Sequence, residues 1–148
     1  MVNIELIKQL RDETEISIGE CKKALEAAGG DIGKAKDLLK EWGKKVATKK
    51  GDRIAGQGRI EAYVHSTGKI GVMLELRCET DFVAKSDDFK SLAHELCLQF
   101  AAMGSDPATL MESPWIKNPS KTVKDLVEEA IAKVGENIVV KNVVRYEI

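Results

Sequence analysis

The stretch Leu76–Phe89, LRCETDFVAKSDDF, marks the point where the chain changes from strand to helix. Before it, apolar residues occur at every second position, which is the period of a strand with one buried face. After it, Ser86 can cap a helix whose apolar residues recur at three- and four-residue spacing. Between these patterns stands Phe82, one of only three phenylalanines, among polar neighbours typical of an exposed turn.

Two strands precede this turn. Apolar and polar residues alternate from Gly58 to His65 and again from Ile70 to Cys78, with the turn-forming sequence HSTGK between them. These segments predict an antiparallel hairpin. The residues predicted to share the covered face of the second strand are Ile70, Val72, Leu74, Leu76 and Cys78.

Two helices and a strand follow the turn. The spacing predicts a helix from Ser86 to Gly104, and a proline-containing loop over 105–120 with one short helical turn at PATLME. A last helix is predicted to begin near Thr122, with Asp125 three residues on, and to end at Gly135, and NIVVKNVVRYEI reads as a last strand. This order predicts an α+β core subdomain over 58–148, with a three-stranded antiparallel sheet covered by helices on one face.

The first part of the chain has helical spacing only. Asn3, Ser17 and Asp31 can each cap a short amphipathic segment, and we expect the third segment to end at Gly43. This pattern predicts a three-helix bundle over 1–44. Five basic residues crowd into KKVATKKGDR, which predicts an extended, solvated basic linker over 45–57.

The second face of the predicted sheet is unusually apolar for a surface. Tyr63, Met73, Val139 and Val143 are expected to stand on it among charged residues, and a three-stranded sheet is too narrow to cover itself. We therefore expect a homodimer joined sheet to sheet. The alternative is a monomer in which the charged neighbours keep that face wet.

Composition excludes several classes of function. The chain is 43% hydrophobic with a net charge of −1, which gives a globular core but little drive for nucleic-acid binding. Neither a membrane span nor a secretion signal is evident, so we expect a cytoplasmic protein. Three cysteines without CxxC spacing predict free thiols and no metal site. We expect no cofactor and no covalent catalysis, with Cys78 as the only conceivable nucleophile.

The ring of Phe82 has two ordinary explanations. It can fold back onto its own core, or it can serve as an anchor for another protein. Asp81 beside it can equally be a turn or cap residue. The residue pattern leaves these alternatives open.

Three stretches together resemble one family. LIKQLRDET followed by ECKKALEAAGGDIGKAKDLLKEWG, then CETDFVAKSDDF, then AIAKVGENIVVKNVVRYE are similar to the elongation factor Ts family, and the resemblance covers nearly all of residues 1–148. It implies that the bundle is ubiquitin-associated-like. It also implies a short form with a single core subdomain, which favours the homodimer.

The resemblance implies an activity without an enzyme's active site. Members of this family are guanine-nucleotide exchange factors for elongation factor Tu, and an aspartate and a phenylalanine dock on that partner. The ring wedges in near the magnesium and phosphate site and promotes release of GDP. The residues that the resemblance assigns to partner binding are Thr80, Asp81, Phe82, Val83, Lys22, Gly135 and Asn137.

Two rival functions remain from other classes. A bundle of this kind can act as an adaptor for a peptide, or for nucleic acid through the basic linker, with binding that falls steeply as salt rises. A thiol enzyme using Cys78 is the weaker rival. For the exchange factor we expect no direct contact with nucleic acid or membrane.

Overall fold

The computed structural model describes residues 2–104 and 106–148, which divide after Val46 into two compact units. Ser105, the first residue of the predicted proline-containing loop, lies outside the described residues. No helix within the described ranges has the length and apolar content needed to cross a membrane. Each unit has its own hydrophobic core.

The first unit is built from helices α1 (Ile4–Thr14), α2 (Ile18–Ala27) and α3 (Ile32–Lys50). The predicted caps are present: the Asn3 side chain accepts a hydrogen bond from the backbone N–H of Glu5 at 2.9 Å, and Ser17 caps α2. The buried residues of its core are Ile7, Leu10, Cys21, Ala24, Leu25, Ala35 and Leu39. The prediction of three helices at the N-terminus is confirmed.

The predicted end of the third helix at Gly43 is wrong, because α3 continues to Lys50. One glycine inside a helix costs only about 1 kcal/mol relative to alanine. The residues that follow are mostly good helix formers, and Ala47 is buried in the core of the second unit. Residues 45–50 of the predicted linker are therefore helical, while the domain boundaries themselves stay a prediction.

The second unit carries the sheet and the remaining helices. Its elements in chain order are β1 (Gln57–Val64), β2 (Ile70–Cys78), α4 (Asp81–Ala84), α5 (Asp87–Met103), α6 (Pro107–Glu112), β3 (Pro114–Trp115), β4 (Asn118–Thr122), α7 (Val123–Val134) and β5 (Val139–Glu147). Strands β1, β2 and β5 form an antiparallel sheet in the order β1-β2-β5, and helices pack against one face, so the predicted α+β fold class is confirmed.

The strands β3 and β4 form a small hairpin that the sequence pattern does not predict. A fully buried polar side chain, Gln99 of α5, holds it. Its amide nitrogen donates to the carbonyl oxygen of Pro114 at 3.0 Å, and its amide oxygen accepts from the N–H of Ile116 at 2.9 Å. The short helix predicted at PATLME is confirmed as α6.

The predicted faces of β1 are reversed in the structure. Glu61 pairs directly with Leu74, which is fully buried, so Glu61 shares the inner face of the sheet. Tyr63 lies on the same side and is half-buried, so its predicted place on the outer face is wrong. Ile60 and Val64 instead point outward and are 58% and 69% exposed. The alternating apolar residues of β2 form the stronger stripe and determine the inner face of the sheet. The register of β1 against β2 then determines which side chains of β1 lie on that face.

A bulge in β5 changes its alternation. Leu76 pairs with Val140. The preceding residue of β2, Glu75, pairs with Asn142, so Lys141 is an extra residue between them. Such a residue shifts the following side chains by one position and moves them to the opposite face.

After the bulge, Val143 packs against the core, so its predicted outward position is wrong. Met73 and Val139 do point outward, as predicted. We use the term outer sheet face for the apolar side chains on the uncovered side, which are Ile60, Ala62, Val64, Met73, Val139, Val144 and Tyr146.

Candidate functional site

The turn at Phe82 is a single helical turn, α4, between the end of β2 and the start of α5. Thr80 caps it, because its side-chain oxygen accepts a hydrogen bond from the N–H of Val83 at 3.2 Å. Ser86 then caps α5 through the N–H of Phe89 at 3.3 Å. Two caps six residues apart in sequence thus hold the chain between strand and helix.

Within this turn the side chains divide sharply by exposure. Val83 and Ala84 are 6% and 3% exposed and belong to the core of the second unit. Phe82 is 86% exposed, whereas Phe89 and Phe100, the other phenylalanines, are fully buried. The explanation in which Phe82 folds back onto its own core is therefore wrong.

Asp81 stands beside the ring on the first position of α4. Its side chain is 61% exposed and lies 2.8 Å from the Nζ atom of Lys85. The hydrogen bond and the charge of Asp81 raise the pKa of Lys85 above its usual value. A carboxylate and an aromatic ring are thus offered side by side, which suits a partner with an apolar pocket bordered by hydrogen-bond donors or positive charge.

Two other predicted site residues, Gly135 and Asn137, flank Glu136, and Glu136 contacts this turn. Gly135 ends α7 in the left-handed conformation, with φ of 76°. Glu136 then binds the backbone of the turn, at 2.9 Å from its Oε1 to the N–H of Thr80. Asn137 is only 4% exposed, and its amide donates to the carbonyl oxygens of Gly51 and Arg53. Its side chain is therefore occupied inside the protein.

Sequence reasoning did not select Glu79 or Glu136, although both make the contacts that join these segments. Glu136 stands inside the G-E-N-I sequence, between two residues that were selected. A signal was therefore available, because an acid directly after a helix-ending glycine can reach backbone N–H groups of a neighbouring loop.

Lys22 belongs to the first unit, on α2. Its side chain is 60% exposed, and its Nζ atom lies 4.0 Å from the Glu26 carboxylate one turn along the helix. A pair this open is weak. The ammonium group of Lys22 can therefore exchange this contact for one with a partner at little cost.

Burial disfavours the reactive thiolate form of two cysteines in this unit. Cys78 is fully buried and its thiol donates to the carbonyl oxygen of Thr80; burial, followed by the nearby Glu136 carboxylate, raises the pKa of Cys78. Burial likewise raises the pKa of Cys97 to about 12. Such thiols are poor nucleophiles at neutral pH. Within 2–104 and 106–148, no cluster of three or more His, Cys, Asp or Glu side chains could hold a metal ion.

The outer sheet face is the second notable surface of this unit. Its rows across the strands are apolar near the β1–β2 turn, where Val64, Gly71 and Tyr146 lie opposite one another. Towards the other end the rows become polar, and Asn142 donates to Glu75 at 2.8 Å. An apolar patch with a polar border is typical of a protein interface.

The chain is similar to known proteins over nearly its whole length. The family model described as elongation factor TS matches residues 79–148, which include the turn and β5. A protein named elongation factor Ts from Coprothermobacter proteolyticus is 42% identical over 193 aligned residues, covering 99% of this chain and 98% of the relative. Proteins of the same name from Carboxydothermus hydrogenoformans and Thermotoga petrophila are 38% and 39% identical, and cover 100% and 99% of this chain and 89% and 96% of their own length.

These alignments are longer than the 148 residues of this chain, so the relatives contain additional internal residues. The similarity nevertheless runs from one end of the chain to the other. It includes both the helical first unit and the sheet of the second. On this similarity, the chain belongs to the elongation factor Ts family.

Proposed function

We propose that this translation elongation factor is the guanine-nucleotide exchange factor of elongation factor Tu. It binds the GDP-bound partner, inserts Phe82 near the magnesium and phosphate site, and so promotes release of GDP. The observation that supports this proposal is the ring of Phe82, which is 86% exposed on a turn whose next two side chains, Val83 and Ala84, are buried. A large ring is held in water at a fixed place, where it contributes nothing to the core.

The thermodynamics require only differential binding. A protein that binds the nucleotide-free partner more tightly than the GDP-bound partner must weaken GDP binding by the same factor. Truncating a buried aromatic anchor typically costs about 2–4 kcal/mol, which is roughly a thirty- to thousandfold change in affinity. One ring of this kind is therefore sufficient to drive substantial release of nucleotide.

The other selected residues receive different roles in this proposal. Asp81 contacts the partner beside Phe82, and Lys22 adds a contact from the first unit. Thr80 and Val83 shape the turn from within, as their capping bond and burial suggest. Gly135 and Asn137 belong to the segment that supports the turn, and the buried amide of Asn137 favours a supporting role over direct contact.

We also propose that the outer sheet face joins two copies of this chain. The exposed apolar side chains lie on three adjacent strands, and exposure of 55% for Met73 and 76% for Tyr146 leaves area for a second sheet to bury. A twofold pairing places the same patch on both sides, which suits its apolar centre and polar end. We expect the factor to act in the cytoplasm, without cofactor, membrane or direct nucleic-acid contact.

The test is the release of fluorescent GDP from elongation factor Tu in a stopped-flow instrument. We expect the unaltered protein to accelerate release, and Phe82→Ala to reduce that acceleration at least about tenfold, as for loss of an anchor. Ile116→Ala is the matched control, because Ile116 is also an exposed large apolar residue of the second unit, at 43%. Unchanged acceleration by Phe82→Ala would contradict the proposal.

A further inference from the structure

We infer that Glu136 and Glu79 are positioning residues that fasten the turn and so preset the place of Phe82. This inference rests on the proposed function, because it concerns how the ring is presented to the partner. The contacts are reciprocal, because a carboxylate on each of two chain segments accepts hydrogen bonds from the backbone of the other segment. We call this arrangement of Glu79 and Glu136 the carboxylate clamp.

The turn needs such support because it has little of its own. A single helical turn such as α4 is not stable by itself in water. The pairing of β2 ends at Cys78, so the N–H groups of Glu79 and Thr80 have no partner in the sheet. Phe82 at 86% exposure adds nothing to its own anchoring. Burial of Val83 and Ala84 fixes one side of the turn, and the polar side must be held by hydrogen bonds to its backbone.

Glu136 supplies the first half of the carboxylate clamp. Its Oε1 atom accepts from the N–H of Glu79 at 3.1 Å and from the N–H of Thr80 at 2.9 Å. Its Oε2 atom accepts from the hydroxyl of Thr80 at 2.7 Å. The same hydroxyl oxygen accepts from the N–H of Val83, so one carboxylate is connected through Thr80 to the residue that follows the ring.

Glu79 supplies the second half. Its Oε2 atom accepts from the N–H of Asn137 at 2.9 Å, and its Oε1 atom lies 2.6 Å from the Nε atom of Arg53. The amide of Asn137 also donates to the carbonyl oxygen of Arg53 at 2.9 Å. The end of β2, the segment after α7 and the chain after α3 are thus joined at one place.

Gly135 sets the direction in which the chain leaves α7 and so places Glu136 of the carboxylate clamp. Its φ of 76° turns the chain at the end of α7, and the next residue is Glu136. A Cβ atom added there would meet nothing within 4 Å, so space does not require glycine. The requirement is conformational, because residues with a side chain rarely adopt this backbone angle.

Fastening the turn affects binding more than the chemistry at the bound partner. When a binding conformation is only partly populated, the apparent dissociation constant equals the intrinsic one divided by the populated fraction, while the bound complex is unchanged. Loss of the carboxylate clamp should therefore raise the concentration of this protein needed for half-maximal GDP release. The maximal rate at saturation should stay nearly the same, because the ring reaches the same place once bound.

The experiment uses the full chain and three variants. For Glu136→Ala we expect a half-saturating concentration at least about fivefold higher, with the maximal rate within about twofold of the unaltered protein. For Glu136→Gln, whose amide oxygen can still accept the two N–H bonds, we expect a smaller rise. Glu129→Ala is the matched control, since Glu129 lies on α7 and its carboxylate pairs with Lys121 of β4. We expect no change for it.

A second measurement tests the clamp without the partner. Amide hydrogen exchange at Glu79 and Thr80 should accelerate in Glu136→Ala and remain slow in Glu129→Ala, with the same helical circular dichroism for all variants. If Glu136→Ala fails to fold, Glu136→Gln carries both measurements.

The outcomes separate this inference from the function on which it rests. Loss of stimulation in Phe82→Ala together with unchanged half-saturation and unchanged amide exchange for both Glu136 variants would overturn the inference alone. A fall in maximal rate instead of a rise in half-saturation would also overturn it, because Glu136 would then act in the bound state. If Phe82→Ala is fully active, the proposed function is contradicted, whatever the results for the two Glu136 variants.

Discussion

Two exposed apolar regions of the second unit differ in how they are built. Phe82 is one ring on a polar turn, held by two caps and the carboxylate clamp. The outer sheet face is a patch of several smaller side chains held by the strands themselves. An isolated anchor suits a partner that binds reversibly and holds one side chain in a pocket. A broad patch suits a lasting interface between equal surfaces.

The largest difference in stability is expected between substitutions of a buried and of the exposed phenylalanine. Phe89→Ala should lower the free energy of unfolding by about 3–5 kcal/mol, because the fully buried ring leaves a cavity. Phe82→Ala should change it by less than about 0.5 kcal/mol, as for an exposed site. Urea denaturation followed by circular dichroism measures both. Equal losses would show that Phe82 is part of the core in solution.

A charged residue introduced on the outer sheet face should dissociate the proposed dimer into single chains. Met73 lies in the central strand, beside Ala62 and Val144, and Met73→Glu would bury a carboxylate between two sheets. We expect light scattering at tens of micromolar to give the mass of two chains for the unaltered protein and of one chain for this variant. Ile116→Glu, an exposed apolar site away from the sheet, is the control. A single-chain mass for the unaltered protein would remove the dimer.

The smallest effect is expected at the cysteines. Because burial raises the pKa of Cys78, and that of Cys97 to about 12, little thiolate exists at pH 8, and a thiol reagent should react slowly with the native protein. Reaction should be at least about tenfold faster in denaturant. GDP release should be unaffected by the reagent at pH 8. Rapid labelling of Cys78 with loss of activity would instead favour the thiol-enzyme alternative.

The same shifts fix the sign of a stability change with pH. The folded pKa values of the Cys78 and Cys97 thiols lie above their ordinary value of 9.0, so the stability that these two groups contribute is fully present below that pH. This contribution is lost as pH rises from about 9 towards 12, because the unfolded chain releases the two thiol protons first.

Much of the fold was predictable because local signals agreed. The caps at Asn3, Ser17, Ser86 and Thr122 stand where sequence spacing places them. The end of α3 was not predictable from Gly43 alone. Its cost of about 1 kcal/mol is low enough to be offset by the good helix formers that follow together with the burial of Ala47, and that burial depends on residues far along the chain.

The candidate site was predictable in part. The polar neighbours of Phe82 marked an exposed turn, and the family motif selected it, but neither showed which way the ring points. The carboxylate clamp was missed because Glu79 and Glu136 are 57 positions apart, and the acid after Gly135 does not indicate which distant loop it reaches.

The sequence by itself determined the order of helices and strands, their caps, the antiparallel hairpin and the family. Those features depend on periodicity and on contacts within a few residues, which each segment carries alone. Only the tertiary structure decided which face of β1 is covered, where the bulge at Lys141 turns Val143 inward, and what holds Phe82 in water. Register and long-range hydrogen bonds made these choices, because both exist only when distant segments are brought together.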